Sequence, residues 1–346
     1  MPGQLTISLG ALRHNYLTIK AASNAPSVAG VVKANAYGVG VEYVVPELFA
    51  QGCVDFFVAT LNEALKVRSL STDTRIFVLE GPVASPSIYR ANKLIPVVNS
   101  TAQMARWGTA GEYALHVDSG MERLGVTVGE AGHLLNQGTK PALLLSHFAR
   151  ADEPEGSFTR DQVDRIEPLR RFGVPMSLSN SAGALHHDVD EDLVRAGIAL
   201  YGGSPTNRAE DALQPVVRLT GEVLQTRYVE PGTPVGYGGS FVAPQAGRLA
   251  TIGVGYADGV PRLLSNQGRV FLGGVYCPIV GRVSMDLIHV WLTAEVNVQD
   301  GDGAEVVGAH VLLDETAALA QTLSYEVLTG LDAARRLERR AVEAFI

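Results

Sequence analysis

Across 346 residues there are only two cysteines, Cys53 and Cys277, too few for a disulfide framework and with no metal-ligand spacing around them. Both read as ordinary core or near-surface thiols. No apolar run reaches the roughly 18 residues that a membrane span needs. The opening MPGQLTISLGALRHNY lacks the basic head, apolar core and small-residue cleavage site of a secretory signal, so a soluble, cytoplasmic protein is expected. Positive charge is scarce too. With 28 Lys and Arg against 36 Asp and Glu, the formal charge is −8, and the electrostatic footprint of a nucleic-acid binder is missing. A phosphate, if bound, must be held locally. There is no internal repeat, no low-complexity segment, and no G-x-G-x-x-G turn after the first strand-like run to support a doubly wound open sheet.

What is present is a regular alternation. Short runs rich in Val, Ile, Leu and Phe recur at 28–33, 54–60, 75–81, 93–99, 113–118, 142–148, 175–180 and 193–202. Amphipathic segments lie between them, such as 157–172, which is the βαβ pattern of a parallel sheet. Eight β/α units in about 200 residues predict an α/β fold with an N-terminal TIM-type (β/α)8 barrel over 10–215. After residue 215 the texture changes to short alternating runs separated by Gly, Pro, Asn and Asp. That texture predicts a second, mostly β C-terminal domain over 216–346, with one helix near 314–323 and another at the C-terminus. Residues 1–9 are a candidate extra strand. The run RRLERR (335–340) reads as a solvated helix face without a partner.

In such a barrel, chemistry sits at the carboxyl ends of the strands. The residues closing these strands are Lys33, then Asp118 followed by Arg123, then His147, then Asn180 and Ser181, then Arg195 and Gly197. Singly each is weak, since a lone His is more often structural and a Ser often only caps a helix. Their convergence on one face carries the weight. SNSAG and RAGIALYGG supply hydroxyl, amide and glycine after strands seven and eight, the common phosphate site of these barrels. Arg195 interrupts an apolar run and needs an acceptor, expected to be a ring nitrogen or a carboxylate. A lysine facing a phosphate cradle suggests pyridoxal 5'-phosphate held as a Schiff base, with the cofactor as electron sink. A class I aldolase shares lysine and phosphate, so these parts alone do not choose.

Nine ordered blocks go further: VVKANAYGVG, HVDSGMERLG, SHFARAD, NSAGAL, VRAGIALYG, VGYGGSF, IGVGYADGVPR, GRVSMD and LSYEVL. With these, nearly the whole chain resembles the bacterial alanine racemases, pyridoxal phosphate enzymes with an N-terminal barrel and a C-terminal β domain. The resemblance implies that Lys33 links covalently to the cofactor and is one of two catalytic bases. It implies that Tyr37, Ser181, Tyr325 and the amides of Gly197 and Ile198 hold the phosphate. Arg195, with His147 beside it, corresponds to the residue at the pyridine nitrogen, and Arg123 to the one near the phenolic oxygen. Tyr237 matches the second base, reaching the site from the other subunit of a homodimer. Met285 and Asp286 match residues near the substrate carboxylate, and Tyr256 and Arg262 the entrance. The implied substrate is a small amino acid and the implied role is D-alanine supply for peptidoglycan. A relative acting on serine, or a cofactor-carrying barrel without racemase activity, are the alternatives. The latter lacks the β domain that carries Tyr237.

Inverting an α-carbon requires removing a proton on one face and returning one on the other, which is why two bases are needed. Lysine and tyrosine both have ordinary pKa values of about 10, so each must be tuned downward. The chain departs from the family's common pattern at His116, where many members carry a lysine modified to a carbamate that positions the arginine. Arg123 is therefore expected to be held by a bound anion such as chloride or by a nearby carboxyl.

Overall fold

The computed structural model describes residues 3–153, 155–206, 212–293, 296–333 and 337–345. Its strands in chain order are β1 (Gln4–Ser8), β2 (Ser27–Val31), β3 (Asp55–Val58), β4 (Arg75–Val78), β5 (Leu94–Val98), β6 (Ala114–Asp118), β7 (Val126–Thr127), β8 (Leu143–Leu145), β9 (Met176–Ser177) and β10 (Leu193–Ala196). The second half adds β11 (Val217–Val229), β12 (Pro234–Val235), β13 (Phe241–Val242), β14 (Gly247–Ile252), β15 (Arg269–Leu272), β16 (Val275–Val280), β17 (Ile288–Leu292), β18 (Gly303–Val307) and β19 (Glu338–Val342).

Strands β2, β3, β4, β5, β6, β8 and β9 pair in parallel in chain order, and β10 returns to pair with β2. At the seam between β9 and β10 two backbone hydrogen bonds, Asp192 N–H to Met176 O (2.9 Å) and Arg195 N–H to Ser179 O (3.0 Å), complete the barrel. Each of these strands matches one of the eight apolar runs, with β2 starting one residue before its run. Strands such as β3 and β5 are buried at every position because helices cover their outer faces and side chains fill the interior. Phe57 and Phe77, neighbours on β3 and β4, stack in that interior with ring centroids 4.5 Å apart. The crossover helices begin where short polar side chains can accept orphan amides. Ser8 caps Leu9–Ala22, and Thr60 with Glu63 forms a reciprocal capping box on Leu61–Leu70.

The C-terminal sheet runs β14-β17-β16-β15-β18-β11-β1-β19, with β14 also pairing back onto β11. The first strand of the chain thus joins the last domain, antiparallel to β11. Two helices, Leu313–Leu319 and Ser324–Ala333, link this sheet to the barrel mouth. Here one expectation is corrected. Residues 338–340 of RRLERR are not a helix face but part of β19, parallel to β1; Arg335 and Arg336 lie outside the described residues. The outer edge of β1 offers a row of unpaired backbone groups, and pairing with it outweighs the helical preference of a charged segment. Arg339 also pairs with Asp332 of the helix Ser324–Ala333. Among the described residues no helix is long and apolar enough to cross a membrane.

Candidate active site

A cavity of about 530 Å³ opens at the carboxyl ends of the barrel strands. Lys33, Tyr37, His116, Arg123, His147, Ser181, Arg195, Gly197, Ile198 and Tyr325 all line it. The cofactor-site residues expected from the sequence are therefore brought together. Three cations face one lining carboxylate, Asp152, so the mouth favours an anionic guest. Burial, then the Arg123 charge, holds the Lys33 ammonium below its ordinary pKa; Glu63 opposes and Arg195 adds to the lowering. A partly desolvated lysine of this kind reaches the neutral, nucleophilic form more readily.

Opposite it is a small niche. Ser181 Oγ accepts the Gly197 N–H at 2.9 Å and the Ala199 N–H at 3.4 Å. A Cβ at Gly197 would stand 2.6 Å from Tyr37 Oη and 4.0 Å from Ser181 Oγ, so only glycine leaves this space open. Tyr37 is fixed by rings on two sides, with Tyr201 at 4.9 Å and Tyr325 at 5.8 Å between centroids. Burial raises both phenols of the Tyr37–Tyr325 pair, Tyr325 to about 12, so both are neutral donors. Two hydroxyl donors and a bare Cα beside a cationic wall fit the phosphate of a pyridoxal cofactor.

Arg195 is 5% exposed and solvated mainly by backbone. It donates to Ser177 O (2.7 Å), Ser177 Oγ (2.6 Å), Ser146 O and Leu178 O, and to His147 Nδ1 at 3.3 Å. The His147 ring nitrogen meets the expectation of a ring acceptor, whereas no carboxylate among the described residues bonds to Arg195. Three strand-end carbonyls do most of the accepting. Burial still pulls its pKa down to about 10, with Glu191 opposing. Because guanidinium only donates, His147 must accept at Nδ1 and carry its proton on Nε2. Burial, then Arg195, keeps that imidazole neutral.

His116 has the opposite tautomer. The Asn99 amide nitrogen donates to Leu79 O (2.8 Å) and Val97 O (2.9 Å), so Asn99 Oδ1 is left to accept His116 Nδ1–H at 2.7 Å. Its Nε2 is then a lone-pair acceptor. Burial, then Arg195 and Arg123, pushes the His116 pKa down to about 4. Among the described residues no carboxylate pairs with Arg123, so the nearby-carboxyl half of that expectation is not met.

The remaining candidates do not reach this cavity within one chain. Tyr237 lies on a short 3-10 turn, Tyr237–Gly239, and is 72% exposed. Tyr256 and Met285 are also exposed and sit together, joined by Tyr256 N–H to Ser284 O (3.0 Å) and Ala257 N–H to Met285 O (2.9 Å). Asp286 and Arg262 are exposed on the same domain.

Sequence reasoning missed the segment that carries Lys33 outward. Ala34, Asn35, Ala36 and Tyr37 all have φ between 51° and 56°, a left-handed turn without a single glycine. Such residues cost about 1–2 kcal/mol each, so strong restraints must hold them. Glu63 Oε1 accepts Ala34 N–H at 2.8 Å, and Asn35 Oδ1 accepts Val41 N–H at 3.2 Å. The Asn in KANAY was the one available hint, since Asn tolerates this region better than most residues.

Comparison with known proteins agrees with this fold. The model of the alanine racemase N-terminal domain matches residues 7–205, and that of the alanine racemase C-terminal domain matches 216–341. A catabolic alanine racemase of Agrobacterium fabrum is 43% identical over 360 aligned residues, covering 99% of this chain and 92% of its own length. An alanine racemase of Methylobacterium nodulans is 41% identical, covering 98% and 96%. The alanine racemase of Bartonella henselae, solved with covalently bound pyridoxal phosphate, superposes with a TM-score of 0.92 at 34% identity over 99% of this chain and 100% of its own. The chain belongs to the alanine racemase family.

Proposed function

We propose that this chain interconverts L- and D-alanine with pyridoxal 5'-phosphate, supplying D-alanine for peptidoglycan. The carrying observation is Lys33, its ammonium held below the ordinary value, in one cavity with the Tyr37–Ser181–Gly197 niche. In this reading Lys33 Nζ bonds the cofactor; Tyr37, Ser181, Tyr325 and the Gly197 and Ile198 amides hold its phosphate. Arg195 faces the pyridine nitrogen and Arg123 the phenolic oxygen. When bound, pyridoxal phosphate supplies the electron sink that acidifies the substrate α-hydrogen.

Once the substrate's amino group had displaced it from the cofactor, the freed Lys33 Nζ would take or return a proton on one face of the α-carbon. The opposite face needs a second base, and Tyr237 is exposed and outside the cavity of its own chain. We therefore assign it to the site of a second copy, so that the enzyme is a homodimer with shared sites. Met285, Asp286 and Tyr256 accompany it there toward the substrate. His147 Nε2–H, fixed by the Arg195 contact at Nδ1, is the donor that would favour the Tyr237 phenolate. The two buried, unpaired thiols support a reducing, cytoplasmic setting.

The test is incubation with L-alanine in deuterated water, following optical rotation and deuterium at Cα together. The Tyr237→Phe variant should exchange the α-hydrogen without inverting, with racemisation lowered about 10²–10⁴-fold. Unchanged racemisation in that variant would sink the two-base assignment. L-serine in parallel reports substrate breadth.

A further inference from the structure

The left-handed turn after Lys33 is gripped from the far end of the chain. Arg339 on β19 donates through Nη1 to Gly38 O at 2.7 Å and to Val39 O at 3.3 Å. Its other nitrogen, Nη2, donates to Asp332 Oδ1 at 3.0 Å and to Leu331 O at 3.1 Å. Asp332 Oδ1 in turn accepts Asn35 Nδ2–H at 2.9 Å, and Asn35 Oδ1 accepts Lys66 Nζ–H at 2.9 Å. The helix Ser324–Ala333 that carries Asp332 also carries Tyr325, whose ring lies against Tyr37. Its backbone touches the turn directly, since a Cβ at Gly38 would stand 2.3 Å from Leu328 O. Four consecutive L-residues in the left-handed region relax toward ordinary backbone unless the surroundings over-determine them. Two of the restraints, Asp332 and Arg339, lie about 300 residues away in sequence.

We infer that Arg339 and Asp332 are positioning residues: through Asn35 and the Gly38 and Val39 carbonyls they lock the left-handed Ala34–Tyr37 turn and so hold Lys33 and Tyr37 in register across the cofactor site. This rests on the reading of Lys33 as the cofactor-linked amine. The β19 pairing that absorbs the terminal segment is thereby tied to the active site, because Arg339 reaches it only from that strand.

The test uses Arg339→Ala and Asp332→Asn in the cofactor-loaded enzyme, with two readouts. Hydrogen-deuterium exchange on the peptide spanning the turn reads opening of the Ala36 N–H to Val32 O, Gly38 N–H to Ala34 O and Gly40 N–H to Asn35 O bonds. Cofactor capture by hydroxylamine reads the loss of the Lys33 link. Both should accelerate about tenfold or more in either variant. Adding Ala34→Gly, an exposed position at φ 51°, should restore about fivefold of the loss, because glycine adopts that conformation without the steric cost. Arg339→Lys should recover part of it. Unchanged exchange in both variants overturns the inference, as does faster capture that Ala34→Gly leaves untouched, which would mark a merely structural role. If borohydride fails to fix the cofactor on Lys33 in the unsubstituted enzyme, the reading of Lys33 falls instead, and the exchange result still decides whether the turn is clamped.

Discussion

Replacing Gly197 by alanine is the smallest change that separates the proposed phosphate niche from an ordinary turn. The new Cβ meets Tyr37 Oη at 2.6 Å, well inside any real contact, whereas the next atom, Tyr37 Cζ, is at a tolerable 3.4 Å. The tyrosine cannot swing away, because Tyr201 and Tyr325 flank its ring and its own φ is 56°. The overlap should cost about 1–3 kcal/mol in the cofactor-free protein, the usual range for overpacking. Displacing the hydroxyl also removes a hydrogen bond to a charged group, about 1.5–3 kcal/mol, so cofactor affinity should fall about 10- to 150-fold. Urea unfolding of the cofactor-free protein and fluorescence titration with pyridoxal phosphate measure the two quantities separately. Because the clash involves a single oxygen, the pair Gly197→Ala and Tyr37→Phe should be far less than additive. Wild-type affinity in Gly197→Ala, or full additivity in the pair, would refute the reasoning.

Two further outcomes follow from the buried cations and imidazoles. Arg195→Met strands the carbonyls of Ser146, Ser177 and Leu178 without their donor and should destabilise the fold by about 3 kcal/mol or more; a urea midpoint equal to wild type would contradict it, and Arg195→Lys should lie between. His116 titrates near 6.5 when unfolded but at about 4 when folded, so between those values the unfolded chain holds a proton that the folded one does not. Stability should therefore be lost as pH falls from about 6.5 to 4, with His116 contributing about 3 kcal/mol of that loss. His147, also held low, acts in the same sense, so His116→Asn should shallow the acid limb without abolishing it. An identical limb in the variant would show that His116 is not buried as a neutral ring.

Legibility in the sequence follows the range of the forces involved. The barrel can be read because its strands are largely buried on both faces and print short, mostly apolar runs, and because chain order equals spatial order. Lys33, Arg123, His147, Ser181 and Arg195 can be read because strand ends converge on one mouth. Tyr237, Tyr256 and Met285 carry no such signal: they are exposed residues of another domain, and only resemblance singles them out. Asn99 behind His116, and the carbonyls around Arg195, are tertiary partners that no spacing rule encodes. The left-handed turn was hidden because its restraints come from Glu63, Asp332 and Arg339, all distant in sequence. The same distance explains β19, whose pairing is decided by the free edge of β1 and not by its own charged pattern.

The central claim, that each site joins Lys33 of one copy to Tyr237 of another, is tested most directly by mixing two inactive variants. Lys33→Ala and Tyr237→Phe, unfolded together and reassembled, should form hybrids in which one of two sites has both native residues. Random pairing predicts recovery of about a quarter of wild-type racemisation. A mixture that stays as inactive as its components contradicts the claim.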